Sequence, residues 1–202
     1  ADLGVGVHVL GHPVIRVGRD KAGKLTALGE GKPESMMLLE IDRQPAEQMP
    51  KIEARIREVL EQVRAIVQDW SVMREKMLAV SADLPPRRMP FADAGRREAQ
   101  EFLRWAANDH FTFFGYREYR IDGGVLHAIE GSGLGLLRGE DSSHARPVKS
   151  LAAHNLPQSG SVDTLILTKT NARSGVHRPG NMDYIGVLEF DAQGRPGAEQ
   201  RF

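Results

Sequence analysis

The chain has 202 residues, 41% of them apolar and 27% charged, and its 27 Lys plus Arg balance 27 Asp plus Glu. Those are globular proportions, and zero net charge argues against a broad electrostatic footprint for nucleic acid or anionic lipid. There is no cysteine, which excludes disulfides, thiolate metal sites and thiol nucleophiles.

Residues 5–9 read Val-x-Val-x-Val, the alternation of a strand with one buried face. His12-Pro13 opens a second short strand at 14–17. Asp20 to Lys24 is turn chemistry, with Gly23 suited to positive φ. A polar Gly/Pro loop leads to a third strand candidate at 36–41. Three such elements are too few to bury a core by themselves.

Over 49–80 the apolar residues fall on two interlocking seven-residue series. One holds Met49, Ile56, Val63, Trp70 and Met77; the other holds Ile52, Val59, Ile66, Met73 and Val80. This a/d pattern predicts one nearly continuous helix, about 45–50 Å long. Ile56, Val63, Ile66 and Trp70 are expected to be buried. Trp70 is bulky for a two-stranded seam, so the stripe is expected to pack within the chain rather than against a second helix of a coiled coil. Pro85, Pro86 and Pro90 then break the ladder. A shorter helix over 93–108, with Ala99, Phe102, Leu103 and Ala106 as its stripe, completes a helical hairpin.

Beyond Asp109 the periodicity turns to β. Residues 111–121 are aromatic and β-branched, Asp122-Gly123-Gly124 is a hairpin signal, and 125–129 returns antiparallel. Stretches 165–168, 184–190 and 198–202 supply three more strands, the last two joined across 191–194. The polar stretch 138–161 reads as a loop with a helical turn. The fold class expected is α+β, with a roughly five-stranded antiparallel sheet in the C-terminal half.

Gly131-Ser132-Gly133-Leu134-Gly135 invites a nucleotide-loop reading, but the dinucleotide fingerprint needs G-x-G-x-x-G opening a helix. A β-bulge or tight loop is the better reading. The densest polar cluster is Lys169, Arg173, His177, Arg178 and Asp183. No second His or carboxylate stands at metal-ligand spacing there. The cluster is expected either to hold an anionic effector or to be structural, with Asp183 pairing with Arg178 or His177 in a buried polar network. The structural role is favoured. A hydrolase using His177 and Asp183 is weak, because Ser174 lies in no G-x-S-x-G elbow. The remaining histidines form no pattern.

Several blocks together resemble one family. They are Thr168-Lys169-Thr170-Asn171-Ala172-Arg173-Ser174-Gly175-Val176-His177-Arg178-Pro179 with Met182-Asp183-Tyr184-Ile185-Gly186, and Phe102-Leu103-Arg104-Trp105 running into 109–117. His12-Pro13 with Arg19-Asp20, Glu34-Ser35-Met36-Met37 with Glu40-Ile41-Asp42, Val63-Arg64 near Asp69-Trp70, and Glu199-x-Arg201-Phe202 add to them. Essentially the whole chain resembles the large NAD-dependent glutamate dehydrogenases of bacteria. The resemblance implies ACT-like and PAS-like antiparallel sheet modules bridged by a long helix and a helical hairpin. It implies the back part of an ACT-like domain at 1–44, a helical connector at 45–108 and a PAS-like or ACT-like sheet at 109–202. It also implies a non-catalytic regulatory or oligomerising segment of a cytoplasmic homo-oligomer. The parent would oxidise L-glutamate with NAD⁺ and water to 2-oxoglutarate, ammonium and NADH. Nothing here matches that family's glycine-rich catalytic segment with its lysine, or its dinucleotide fold, so no catalytic or cofactor-binding residue is expected. The alternative is a freestanding sensor of an amino acid or metabolite.

The chain opens on Ala1 just before an apolar stretch and closes on Arg201-Phe202 after a strand-like segment; an excised fragment is the expectation, its partner being the rest of the polypeptide. No apolar run approaches the roughly 20 residues that span a bilayer, and the N-terminus lacks a signal pattern.

Overall fold

The computed structural model describes residues 3–84, 93–122, 125–139, 164–193 and 195–202. The proline break at 85–90, the glycines of the 122–124 turn and nearly all of the 138–161 loop lie outside those residues. The chain divides into two compact units, residues 1–56 and 57–202.

The first unit carries five short strands where the sequence pattern offers three. β1 (Val7–Gly11) pairs antiparallel with β5 (Leu38–Ile41), while β2 (Val14–Arg19) lies between β3 (Leu25–Leu28) and β4 (Lys32–Ser35). The two additional strands escape a periodicity reading because they have no buried face to alternate against. Lys32, Pro33 and Glu34 occupy β4, and Val17 is the one buried side chain among the described residues of this unit. Polar contacts fix the turns instead. The Asp20 carboxylate accepts the backbone N–H groups of Ala22 and Lys24 at 2.9 Å each. The Arg19 guanidinium grips Glu34 with two hydrogen bonds of 2.7 Å.

Helix α1 (Met49–Asp83) runs unbroken for 35 residues. Pro50 sits in its first turn, where a missing N–H removes no intrahelical bond. The buried stripe is Ile66, Asp69, Met73, Met77, Val80 and Ser81, narrower than the heptad pattern predicts. Ile66 is buried as expected, but Ile56 and Val63 are each 39% exposed and Trp70 38%. Asp69, one residue earlier, occupies the inward position instead, because its carboxylate is hydrogen-bonded there.

Helix α2 (Asp93–Trp105) pairs with α1. Ser81 Oγ donates to Gln100 O, Gln100 Nε2 donates to Ser81 O, and Arg74 Nε donates to Ala107 O. Contacts that recede along one segment as they advance along the other make the pair antiparallel. The second helix stops short of the expected residue 108. Residues 106–110 form a π-type bend, and Asp109 at φ 61° turns the chain out of the helix.

The sheet of the second unit is antiparallel, in the order β7 (Val125–Ala128), β6 (Gly115–Asp122), β11 (Pro196–Arg201), β10 (Asn181–Phe190), β9 (Leu165–Arg173). A two-residue strand, β8 (Leu134–Gly135), adds to β6. Alternation along each strand sorts the side chains between two faces. Tyr116, Ile185, Val187 and Phe202 join Met73, Met77 and Leu103 of the helices in one core. Arg117, Tyr119, Glu199 and Arg201 alternate with those strand positions and so lie on the other face. The fold is α+β.

Candidate functional site

The block at 168–183, expected to lie between two strands, is largely their continuation. β9 extends to Arg173 and β10 begins at Asn181, so the polar residues sit on the ladder of one long hairpin. Its register sets Asp183 opposite Lys169 and Asn181 opposite Arg173, with an irregularity between Asn181 and Asp183. The connecting loop is held by Ser174 N–H donating to Gly180 O at 2.8 Å and by Val176 N–H donating to Ser174 Oγ at 3.1 Å. His177 stands at φ 62°, a left-handed conformation uncommon outside glycine.

This hairpin end, the start of β6 and the end of β11 enclose a cleft of about 510 Å³. Phe111, Phe114, Tyr184 and Phe202 give it aromatic walls; Thr112, Thr170, Ser174 and Asn181 give it hydroxyl and amide groups. Lys169, His177, Arg178 and Asp183 all line it, whereas Arg173 does not. The cleft therefore brings together four of the five residues of that cluster.

Their pairing differs from expectation. Asp183 meets Lys169, at 2.5 Å, rather than Arg178 or His177. The cross-strand register causes this, since directly opposed side chains on one face are nearest neighbours. Nor is the pair buried: the Lys169 and Asp183 side chains are 64% and 50% exposed. His177 and Arg178 are exposed too, with the His177 ring 6.5 Å from that of Phe114.

The buried polar network lies instead on the sheet face opposite the helices, built from residues that the sequence reading left without a chemical role. Glu199 has no exposed surface and Arg201 is 6% exposed. The Tyr184 hydroxyl donates to Glu199 Oε1, which also takes Arg201 Nε at 3.4 Å. The Arg201 guanidinium lies 4.2 Å from the Tyr119 ring centroid and 4.8 Å from that of Tyr184, and donates to the Tyr119 hydroxyl at 3.3 Å. Burial opposes the charge of Arg201, yet Tyr184, Glu199 and Tyr119 hold its pKa above the ordinary value. Burial also pushes the Tyr184 hydroxyl upward. Gly186 makes room for this arrangement: a Cβ there would lie 2.9 Å from the Tyr184 ring and 3.0 Å from Glu199 Oε1. The available signal was the period-2 spacing of Glu199-x-Arg201 and Arg117-x-Tyr119, which places each pair on one face. Arg201 and Tyr184 also line the cleft, joining network and cleft.

The glycine-rich stretch at 131–135 forms tight turns, with Gly131 at φ 73° and Gly135 at φ 57°. No group of three metal-ligating side chains occurs among the described residues, and no described helix is long and apolar enough to cross a membrane.

The family model described as the glutamate dehydrogenase ACT1 domain matches residues 1–56. The NAD-specific glutamate dehydrogenase of Halomonas elongata is 33% identical over 217 residues, covering 98% of this chain and 13% of that protein. Its counterpart from Pseudomonas aeruginosa is 31% identical over 211 residues, with the same 98% and 13% coverage. That of Mycobacterium tuberculosis is 28% identical over 98 residues, 48% of this chain and 6% of the relative. The chain thus spans 13% of the length of the first two relatives.

Proposed function

This chain belongs with the large NAD-dependent glutamate dehydrogenases along 98% of its length, and from that premise we propose that it is a non-catalytic regulatory and oligomerising segment from the N-terminal region of such an enzyme. The parent reaction is the oxidation of L-glutamate by NAD⁺ and water to 2-oxoglutarate, ammonium and NADH. It is carried out elsewhere in a cytoplasmic homo-oligomer, where NAD binds. The observation that carries this reading is the pairing of near-complete coverage of this chain with 13% coverage of its relatives, together with the ACT1 match at 1–56. On this reading the modules divide as ACT-like at 1–44, connector at 45–108 and a PAS-like or ACT-like sheet at 109–202. The absence of a dinucleotide fingerprint from the sequence supports the non-catalytic assignment.

Two measurements test it. The purified chain is expected to form no NADH from glutamate and NAD⁺; glutamate-dependent absorbance of NADH overturns the assignment. The full-length parent, compared with a form lacking this segment, is expected to change in oligomeric mass or in its response to small-molecule effectors. An unchanged mass and response would refute the regulatory role. The second reading, a small-molecule sensor, is favoured by the cleft at the end of the sheet.

A further inference from the structure

The cleft at the β9–β10 hairpin end has features that closing a hairpin does not require. Its volume of about 510 Å³ lies within the range of small-molecule sites. Its charge is one-sided: among the described lining residues Lys169, Arg178 and Arg201 are permanent cations, and Asp183 is the one carboxylate. Lys169 and Asp183 offset each other and Glu199 offsets Arg201 through its Nε, which leaves Arg178 as the cation of the cleft that no described carboxylate neutralises.

Arg201 is fixed before any ligand arrives, its guanidinium set between the Tyr119 and Tyr184 rings. Glu199 meets only its Nε, and the enclosed Nη2 has no hydrogen-bond partner. A buried donor without an acceptor is costly, and Glu199 Oε2 of the same network is likewise enclosed without a partner, so this network is incompletely satisfied at the inner wall of the cleft. Arg178 stands at the exposed rim of the same cleft, beside His177, whose left-handed backbone is a conformation that tends to be kept where it serves a site. Among the described residues, strands, the hairpin loop, the 136–137 turn and residues 110–112 form the walls, and no helix N-terminus of the kind that binds phosphate is among them.

We propose that this cleft binds a small carboxylate-bearing metabolite, with its carboxylate on the Arg178 and Arg201 side and its carbon skeleton against Phe111, Phe114 and Phe202. Planar guanidinium forks match a carboxylate in two parallel hydrogen bonds. The proposal rests on the regulatory reading above and gives that segment its ligand class.

Calorimetric titration of the 202-residue chain with 2-oxoglutarate, L-glutamate and inorganic phosphate tests it. Saturable one-to-one binding of at least one of the two carboxylates is expected, weakened about tenfold or more by Arg178→Gln through loss of a charge-assisted pair. Arg178 is exposed, so the variant should keep its fold, which circular dichroism checks. Arg173→Gln removes the same charge from the same hairpin but outside the cleft, and is expected to leave affinity within about twofold. Absence of saturable binding by either carboxylate, insensitivity to Arg178→Gln, or equally tight binding of phosphate each overturns the proposal. A chain that binds no carboxylate, yet whose deletion alters the parent's assembly, sinks this site and leaves the regulatory role standing. Binding here with no effect of deletion does the reverse.

Discussion

The Asp69 carboxylate of α1 accepts the backbone N–H of Gly135 at 2.8 Å. The two residues lie 66 positions apart in sequence, and the bond ties the long helix to the β8 turn. Arg138 closes over the same carboxylate from the solvent side, its Nε at 3.1 Å. Asp69→Ala strands a buried N–H and is expected to cost about 1–3 kcal/mol. Asp69→Asn keeps an acceptor oxygen and should cost less. Arg138 is half exposed, so water can take the place of its guanidinium and Arg138→Ala should cost less than Asp69→Ala. Denaturant midpoints at constant slope would order the three; equal losses for the Asp69 and Arg138 alanine variants would remove Asp69 from this role.

Gly135 combines φ 57° with a tight site, where a Cβ would stand 2.3 Å from the Phe114 carbonyl oxygen. Gly131 has φ 73° with nothing within 4 Å. Gly131→Ala therefore meets only the left-handed strain of about 1–2 kcal/mol. Gly135→Ala meets that strain and a backbone clash, and should lower the melting temperature clearly further. Thermal unfolding of both variants checks this, and parity between them would contradict the described turn.

Burial along α1 predicts unequal costs within one heptad pattern. Ile66 is 7% exposed and Met73 fully buried, so Ile66→Ala and Met73→Ala should each cost about 2–5 kcal/mol. Trp70→Ala, at a position 38% exposed, should cost less than either of these despite removing the larger side chain. A Trp70 loss matching that of Ile66 would restore the broader seam. Blue-shifted Trp70 fluorescence, read in a Trp105→Phe background, would point the same way.

Two carboxylates of the sheet should behave oppositely. Asp183 forms an exposed cross-strand pair, and Asp183→Ala is expected to cost no more than about 1 kcal/mol. Glu199 is fully enclosed beside Arg201, and Glu199→Ala leaves a buried guanidinium without its counter-charge, at about 3–5 kcal/mol. Urea unfolding of the two variants decides; a larger loss for Asp183 would return the structural role to the hairpin cluster.

Glu118 gives the pH dependence a sign. Burial alone would raise its carboxyl, but hydrogen bonds from Lys76 and Tyr116 and the Lys76 charge outweigh it, so its pKa lies below the ordinary value of 4.5. A carboxyl depressed in the folded state stabilises fully above its unfolded pKa and loses that contribution as pH falls through the folded one. The stability difference between the wild type and Glu118→Gln should therefore be largest near neutrality and shrink below about pH 4.5. Melting temperatures across pH 3–7 would test it, and a constant difference would show that the charge is immaterial.

Much of this architecture is legible in the amino acids alone. The repeat of apolar residues every seven positions from Met49 to Val80 could only be a long helix, because no other element keeps such a period on one face. Alternation beyond Gly115 likewise gave the antiparallel sheet, and the polar cluster at 169–183 drew attention to a segment whose Lys169, His177, Arg178 and Asp183 share one cleft. The family resemblance also came from residues in order.

Periodicity names a face but not what covers it, and there the tertiary structure decided. Asp69 rather than Trp70 turned inward because a backbone N–H from a distant turn awaited a carboxylate. Asp183 went to Lys169 because strand register, fixed by the whole hairpin, set those two opposite each other. Glu199 and Arg201 are of residue types seldom buried, yet they are buried among Tyr119 and Tyr184, since burial of a charge depends on partners brought together only when β6, β10 and β11 pair.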